Sequence, residues 1–147
     1  MALPDYITQS GYTSRTTGIS SQSIDSGSGY LGSEIDNATN GDDVMNVEVV
    51  YSYATAPTAN KTAELWILYS YDGTNYEEGN STTAPLPTAR LVRAWSPPAN
   101  TSTHRFFVFD YTLAHKKFKL LVRNVDTAQQ MTVTVSAETA KFAKVID

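Results

Sequence analysis

Met131-Thr-Val-Thr-Val-Ser136 puts Met131, Val133 and Val135 on one parity and Thr132, Thr134 and Ser136 on the other. Successive side chains of a strand point to opposite faces, so this pattern describes a strand with one apolar and one polar face. The same period runs through Val47-Glu-Val-Val-Tyr-Ser-Tyr53 in β-branched and aromatic residues. It ends at Pro57 and the polar stretch Thr58–Thr62.

Working outward, Glu64-Leu-Trp-Ile-Leu-Tyr-Ser-Tyr71 is apolar on both parities through Leu68 and reads as a central strand covered on both sides. Asp72-Gly73-Thr74-Asn75 then predicts a tight reversal, with Gly73 supplying a positive φ. Residues 77–89, with Pro85 and Pro87, and 96–103, with Pro97 and Pro98, read as loops. Between them lies a short strand, Arg90–Trp95. Arg105-Phe-Phe-Val-Phe-Asp-Tyr111 is a strand with large apolar groups on both faces. Phe118–Arg123 and a last short strand around Phe142, Val145 and Ile146 complete the set, with a helical turn as the alternative over 137–144.

Seven or eight short strands without an amphipathic helix leave no crossover for a parallel sheet. The expected fold is all-β: an antiparallel β-sandwich, jelly-roll-like, over residues 30–147. Residues 1–29 precede it as an extended N-terminal arm. Residues 8–29 are nearly all Ser, Thr, Gly and Gln, too polar to offset their ordering entropy alone. Order there must come from outside the segment, from the domain's own flank or from a neighbouring subunit. Leu3, Tyr6, Ile7 and Tyr12 are its docking residues, with Arg15 beside them as the arm's single base.

Composition narrows the function. The 147 residues contain no Cys, which excludes disulfides and thiolate zinc sites. Net charge is −4, unlike a nucleic-acid binder. Residues 1–60 carry a balance of −6 and residues 61–147 one of +2. No apolar run reaches the ~18 residues of a membrane helix. MALPDYITQS has neither the basic nor the apolar region of a signal peptide, so secretion by that route is not expected.

Catalytic and metal patterns are weak. Of the two histidines, His104 forms an imaginable triad with Ser102 and Asp110, but no nucleophile elbow accompanies it. His115 precedes Lys116 and Lys117 in a basic turn. Asp42-Asp43 and Glu77-Glu78 lack calcium-loop spacing. Asn37, Asn60, Asn80 and Asn100 open Asn-x-Ser/Thr triplets that reflect Thr-rich composition. Lys117, Lys119 and Arg123 share a parity, as a partner-facing strand face, a solvated face or a charge-protected edge. Trp66, Trp95, Tyr69, Tyr71 and Tyr76 are either core and strand aromatics or a sugar-stacking platform, with Trp66, Trp95 and Tyr76 its leading members and Trp95 its expected exposed one.

Three segments, in matching order and spacing, resemble small virion structural proteins of tailed bacteriophages. They are Ser33-Glu-Ile-Asp-Asn-Ala-Thr-Asn40, Glu64–Leu68 followed by Asp72-Gly-Thr-Asn-Tyr76, and Phe118-Lys-Leu-Leu-Val-Arg-Asn124. The resemblance covers about residues 30–136. It departs before the last segment, where Leu113-Ala-His-Lys116 stands in place of a Pro-Pro pair. It implies a non-enzymatic capsid decoration (cement) protein without cofactor or metal, often a homotrimer, bound through the major capsid protein to the outer surface of the virion. Such a protein is made in the host bacterial cytoplasm. The alternative is a glycan-binding module of a head fibre or tail tip.

Overall fold

The structure, a computed structural model, describes residues 6–85 and 89–145. Two antiparallel sheets pack face to face as a β-sandwich. In the first sheet the order is β4 (Ser28–Leu31), β10 (Lys117–Asn124), β7 (Ala63–Tyr69) and β8 (Arg90–Trp95), and β5 (Ile35–Asp36) extends the row beside β10. In the second it is β2 (Thr13–Arg15), β11 (Met131–Ala140), β6 (Val44–Tyr53) and β9 (His104–Thr112), with β3 (Gln22–Ile24) also on β11. A separate ribbon pairs β1 (Tyr6–Gln9) with β12 (Phe142–Val145). The only helix among the described residues is one turn, α1 (Asn37–Asn40).

The alternation read from the sequence fixes which faces meet. Val47, Val49, Tyr51, Met131, Val133 and Val135 point inward from the second sheet. Leu65, Ile67, Phe118, Leu120 and Val122 point inward from the first. Each such side chain taken from water contributes about 1.5–3 kcal/mol. The apolar period does not stop at Ser136: Ala137, Thr139 and Ala140 are buried as well, so β11 continues to Ala140 where a helical turn was the alternative. β10 lies inside its sheet, so its lysines do not guard an edge.

The polar segment 8–29 is ordered by the sandwich's own flank. β2 and β3 pair with β11, and Ile19 and Ile24, its two isoleucines, are 1% and 2% exposed in the common core. The remaining order comes from hydrogen bonds. Thr17 Oγ1 donates to Val135 O at 2.5 Å and accepts from Ile19 N–H.

The residues that carry the phage resemblance build the frame. Asp36 caps α1, accepting from the Thr39 amide at 3.0 Å and its hydroxyl at 2.9 Å, and these bonds lower its pKa. Buried Asn37 donates to Asp42 O and Ala114 O, joining three segments. Asp72 accepts from the amides of Thr74 and Asn75 and from the Asn75 side chain, which holds its carboxyl far below the usual range. Gly73 turns at φ +79. Asn124, fully buried, donates to Ile24 O and Gln129 O.

Candidate interaction surfaces

β7 and β9 are both apolar on both parities, yet the structure treats their outward residues differently. Outside β7, Leu68 forms a second small cluster with Leu121 and Ala89, flanked by Leu31 and Trp66. The 77–85 loop folds over it: a Cβ on Gly79 would lie 3.2 Å from both Leu68 and Leu121, and Gly29 N–H binds Ser81 O at 2.9 Å. Outside β9 no such cover exists among the described residues. Phe106 and Val108 face the core, while Phe107 and Phe109 project from the other side, 48% and 67% exposed. Their rings stack with 10° between planes and 5.6 Å between centroids.

This pair borders a shallow groove of about 250 Å³ across the outer face of the second sheet, with Glu48 directly across from Phe107 on β6, and Ser136, Glu138 and Ser14 on the strands beyond. A bulge shapes its end. Met45 pairs with Tyr111 but Val47 pairs with Val108, so Phe109 and Asp110 both oppose Asn46. Asp110 takes φ +51, and its amide donates to Asn46 Oδ1 at 3.0 Å. Asn46 in turn donates to Glu138. Tyr12 donates to Asp110 Oδ1 at 2.7 Å, and this bond raises the Tyr12 pKa. Of the acids, Glu48 has Arg105 at 3.1 Å. An apolar pair rimmed by carboxylates on an edge strand suits contact with an apolar, basic partner.

Leu3 lies outside the described residues. Tyr6 and Ile7 pair in β1 with Val145 and Lys144. Tyr12 borders the Phe107–Phe109 face through Asp110. Arg15 turns inward: its Nη2 meets buried Asp42 at 2.6 Å, and its Nε donates to Thr139 at 2.7 Å. That clasp fastens the N-terminal segment to β11.

Trp66, Trp95 and Tyr76 do not form one platform. Trp95 faces Phe106 and Tyr51, with centroids at 4.8 and 5.6 Å, and packs on the core instead of standing exposed. A bulge in β8 allows this: Leu65 pairs with Arg93 but Trp66 with Leu91, and the one-residue slip lets both Val92 and Trp95, three positions apart, pack against the core. Trp66 lies on the outer face of β7, donating to Glu64 at 2.8 Å. Tyr76 closes the Asp72 turn and donates to Glu34, which Lys117 also contacts at 2.9 Å. The Tyr76 and Lys117 bonds lower the Glu34 pKa, and burial with the Glu34 carboxylate raises that of Tyr76.

Nor does the triad assemble. His104 Nε2 faces Asn100 at 2.8 Å, and Asp110 lies at the far end of β9, roughly 20 Å away by strand rise. His115 meets Asp43 at 2.9 Å. No group of three or more metal-ligating side chains occurs among the described residues.

Sequence reading passed over Phe107 and Phe109 as ordinary strand residues. The signal was present in the apolar residues on both parities of 105–111, but only the structure shows which outer face lacks a cover.

No family model and no curated protein sequence matches the chain. Two solved structures align with 95% of it at low similarity. One is the infectious bursal disease virus Gx strain, at 14% identity and TM-score 0.40. The other is the Gt strain of the same virus, at 16% identity and TM-score 0.39. The alignments span 30% and 31% of those chains, so this chain corresponds to about a third of their length.

Proposed function

We propose that this protein is a non-enzymatic decoration (cement) protein of a tailed-phage head, docking on the outer surface of the shell as a homotrimer. The observation that carries the reading is the bare, stacked Phe107–Phe109 pair with its carboxylate rim. Two large stacked rings in water leave apolar surface whose burial stabilises a complex. The acidic rim selects a basic contact on the major capsid protein. The sequence resemblance to phage virion proteins supports the same reading. Three linked copies would turn weak single contacts into firm attachment through effective concentration.

The test is co-sedimentation of the full chain with phage heads stripped of the protein, comparing the parent with Phe107→Ser/Phe109→Ser, alongside native mass. The expected result is a trimer that binds, and a double variant that remains trimeric and stays in the supernatant. A double variant that binds heads as the parent does sinks the assignment of this face. A variant that becomes monomeric makes the face a contact between copies. A parent that never binds heads removes the decoration role.

A second reading, a glycan-binding module of a head fibre or tail tip, is favoured by one observation. Tyr76 shares a cleft with Tyr69 and Tyr71.

A further inference from the structure

The cleft has a volume of about 440 Å³, within the usual range of small-molecule sites. Its walls are fixed by the fold. Tyr69 ends β7, 8% exposed, with its hydroxyl accepting from Ala114 N–H at 3.1 Å. Ser70 bridges to Tyr76, and the Glu77 amide donates to Tyr69 O at 3.0 Å, so the Asp72 turn is clamped onto the strand end. Tyr71 is projected from that clamped turn. It is 90% exposed, the most exposed large apolar side chain among the described residues, so its ring contributes almost nothing to the core. It is nonetheless held, with Lys116 Nζ 4.5 Å from its ring centroid.

The charges in the cleft are unbalanced in a specific way. Arg90 stands 5.6 Å from the Tyr69 ring centroid, and Lys116 lies at the mouth. Neither has a carboxylate within 4.0 Å among the described residues, whereas neighbouring Lys117 is paired with Glu34. Glu77 also lines the cleft, with Oε2 committed to the Tyr69 amide at 2.9 Å and Oε1 left as an acceptor.

We propose that this cleft binds a saccharide bearing a single carboxylate, such as a uronic or sialic acid residue. The proposal deepens the second reading above and is independent of shell docking through β9. Arg90 and Lys116 take the carboxylate, Arg90 as a two-pronged donor. Glu77 Oε1 and the Tyr71 hydroxyl meet sugar hydroxyls. The exposed face of Tyr71 offers the apolar surface against which a pyranose ring lies. A phosphate polyanion fits poorly, because Glu77 opposes a second negative charge.

The full chain is titrated by calorimetry and saturation-transfer NMR with sialyllactose and a glucuronate-containing tetrasaccharide. Neutral lactose, inorganic phosphate and a tetraglutamate peptide serve as comparisons. The acidic saccharides are expected to bind at least about tenfold more tightly than lactose. Tyr71→Ala and Arg90→Gln should each weaken them by about tenfold or more. Phe107→Ser/Phe109→Ser should leave them unchanged. Acidic-saccharide binding that survives both cleft substitutions overturns this site while the glycan reading stands. Lactose binding as tightly overturns the charge assignment alone. Phosphate or peptide binding in place of saccharide overturns the ligand class, and the absence of any saccharide binding overturns both this proposal and the glycan reading.

Discussion

The outer faces of β7 and β9 begin from the same kind of sequence and end in opposite states. Leu68 and Leu121 are completely buried because the 77–85 loop closes over them. Phe107 and Phe109 stay in water because nothing among the described residues returns across β9. The difference lies in the connections. Residues 77–85 of the β7–β8 link pass back over their own sheet, whereas the 96–103 link into β9 keeps to itself, with Asn100 accepting from the Ser102 amide and facing His104. An apolar outward face therefore signals folding where the chain supplies a lid, and contact with something else where it does not.

The contrast breaks most severely at the covered face. Leu68→Ala and Leu121→Ala should each cost about 2–5 kcal/mol in urea unfolding, as large-to-small changes in a closed cluster do. A value near zero for either would mean that the lid does not seal the cluster. Gly79→Val attacks the lid directly. Its Cβ meets Leu68, Leu121 and Pro85 at 3.2–3.3 Å. It should cost about 1–3 kcal/mol through overpacking. It should also add dye-binding apolar surface, read with a fluorescent hydrophobic probe.

At the bare face the expectation reverses. Phe107→Ser/Phe109→Ser should change unfolding free energy by no more than about 1 kcal/mol, since exposed positions contribute little to folding. A loss as large as that of Leu68→Ala would show that the pair belongs to the core.

The smallest effect is acid sensitivity. Hydrogen bonds and partners hold the carboxyls of Asp36, Asp43, Asp72 and Glu34 below their ordinary values. Groups depressed in the folded state stabilise it above their unfolded pKa and lose that contribution as pH falls through the folded one. The melting temperature should therefore hold from neutral pH to about 5 and decline below about 4. Asp72→Asn should flatten that decline, and an unaltered acid profile would remove the turn from its cause.

The long strands were legible because period-two alternation is imposed by the pleat, and Val47–Tyr53 and Met131–Ser136 obey it almost without exception. The two-layer antiparallel fold follows from them, and the structure has it. The short strands between residues 6 and 36 were not legible. Ser and Thr there hydrogen-bond to a sheet edge that no local pattern announces, and Ile19, Ile24 and Ile35 are the buried apolar side chains among the described residues of that stretch. The candidate surfaces were hidden for a related reason. Whether an aromatic is buried depends on a distant segment: Phe106 and Tyr51 decide it for Trp95, and the absence of a lid decides it for Phe107. The motif residues Asp36, Asn37, Asp72 and Asn124 were conspicuous because they brace turns and caps, and none of them reaches either candidate surface.

The clasp of Arg15 on Asp42 and Thr139 joins residues 124 positions apart. A ribosome delivers β11 after nearly everything that needs it, so β2, β3 and β6 must wait, unpaired on that side, until the strand emerges. Closure of this sheet is thus a late event in biosynthesis, and one hydrogen-bonding edge of β6 stays unpaired from the synthesis of that strand until β11 follows.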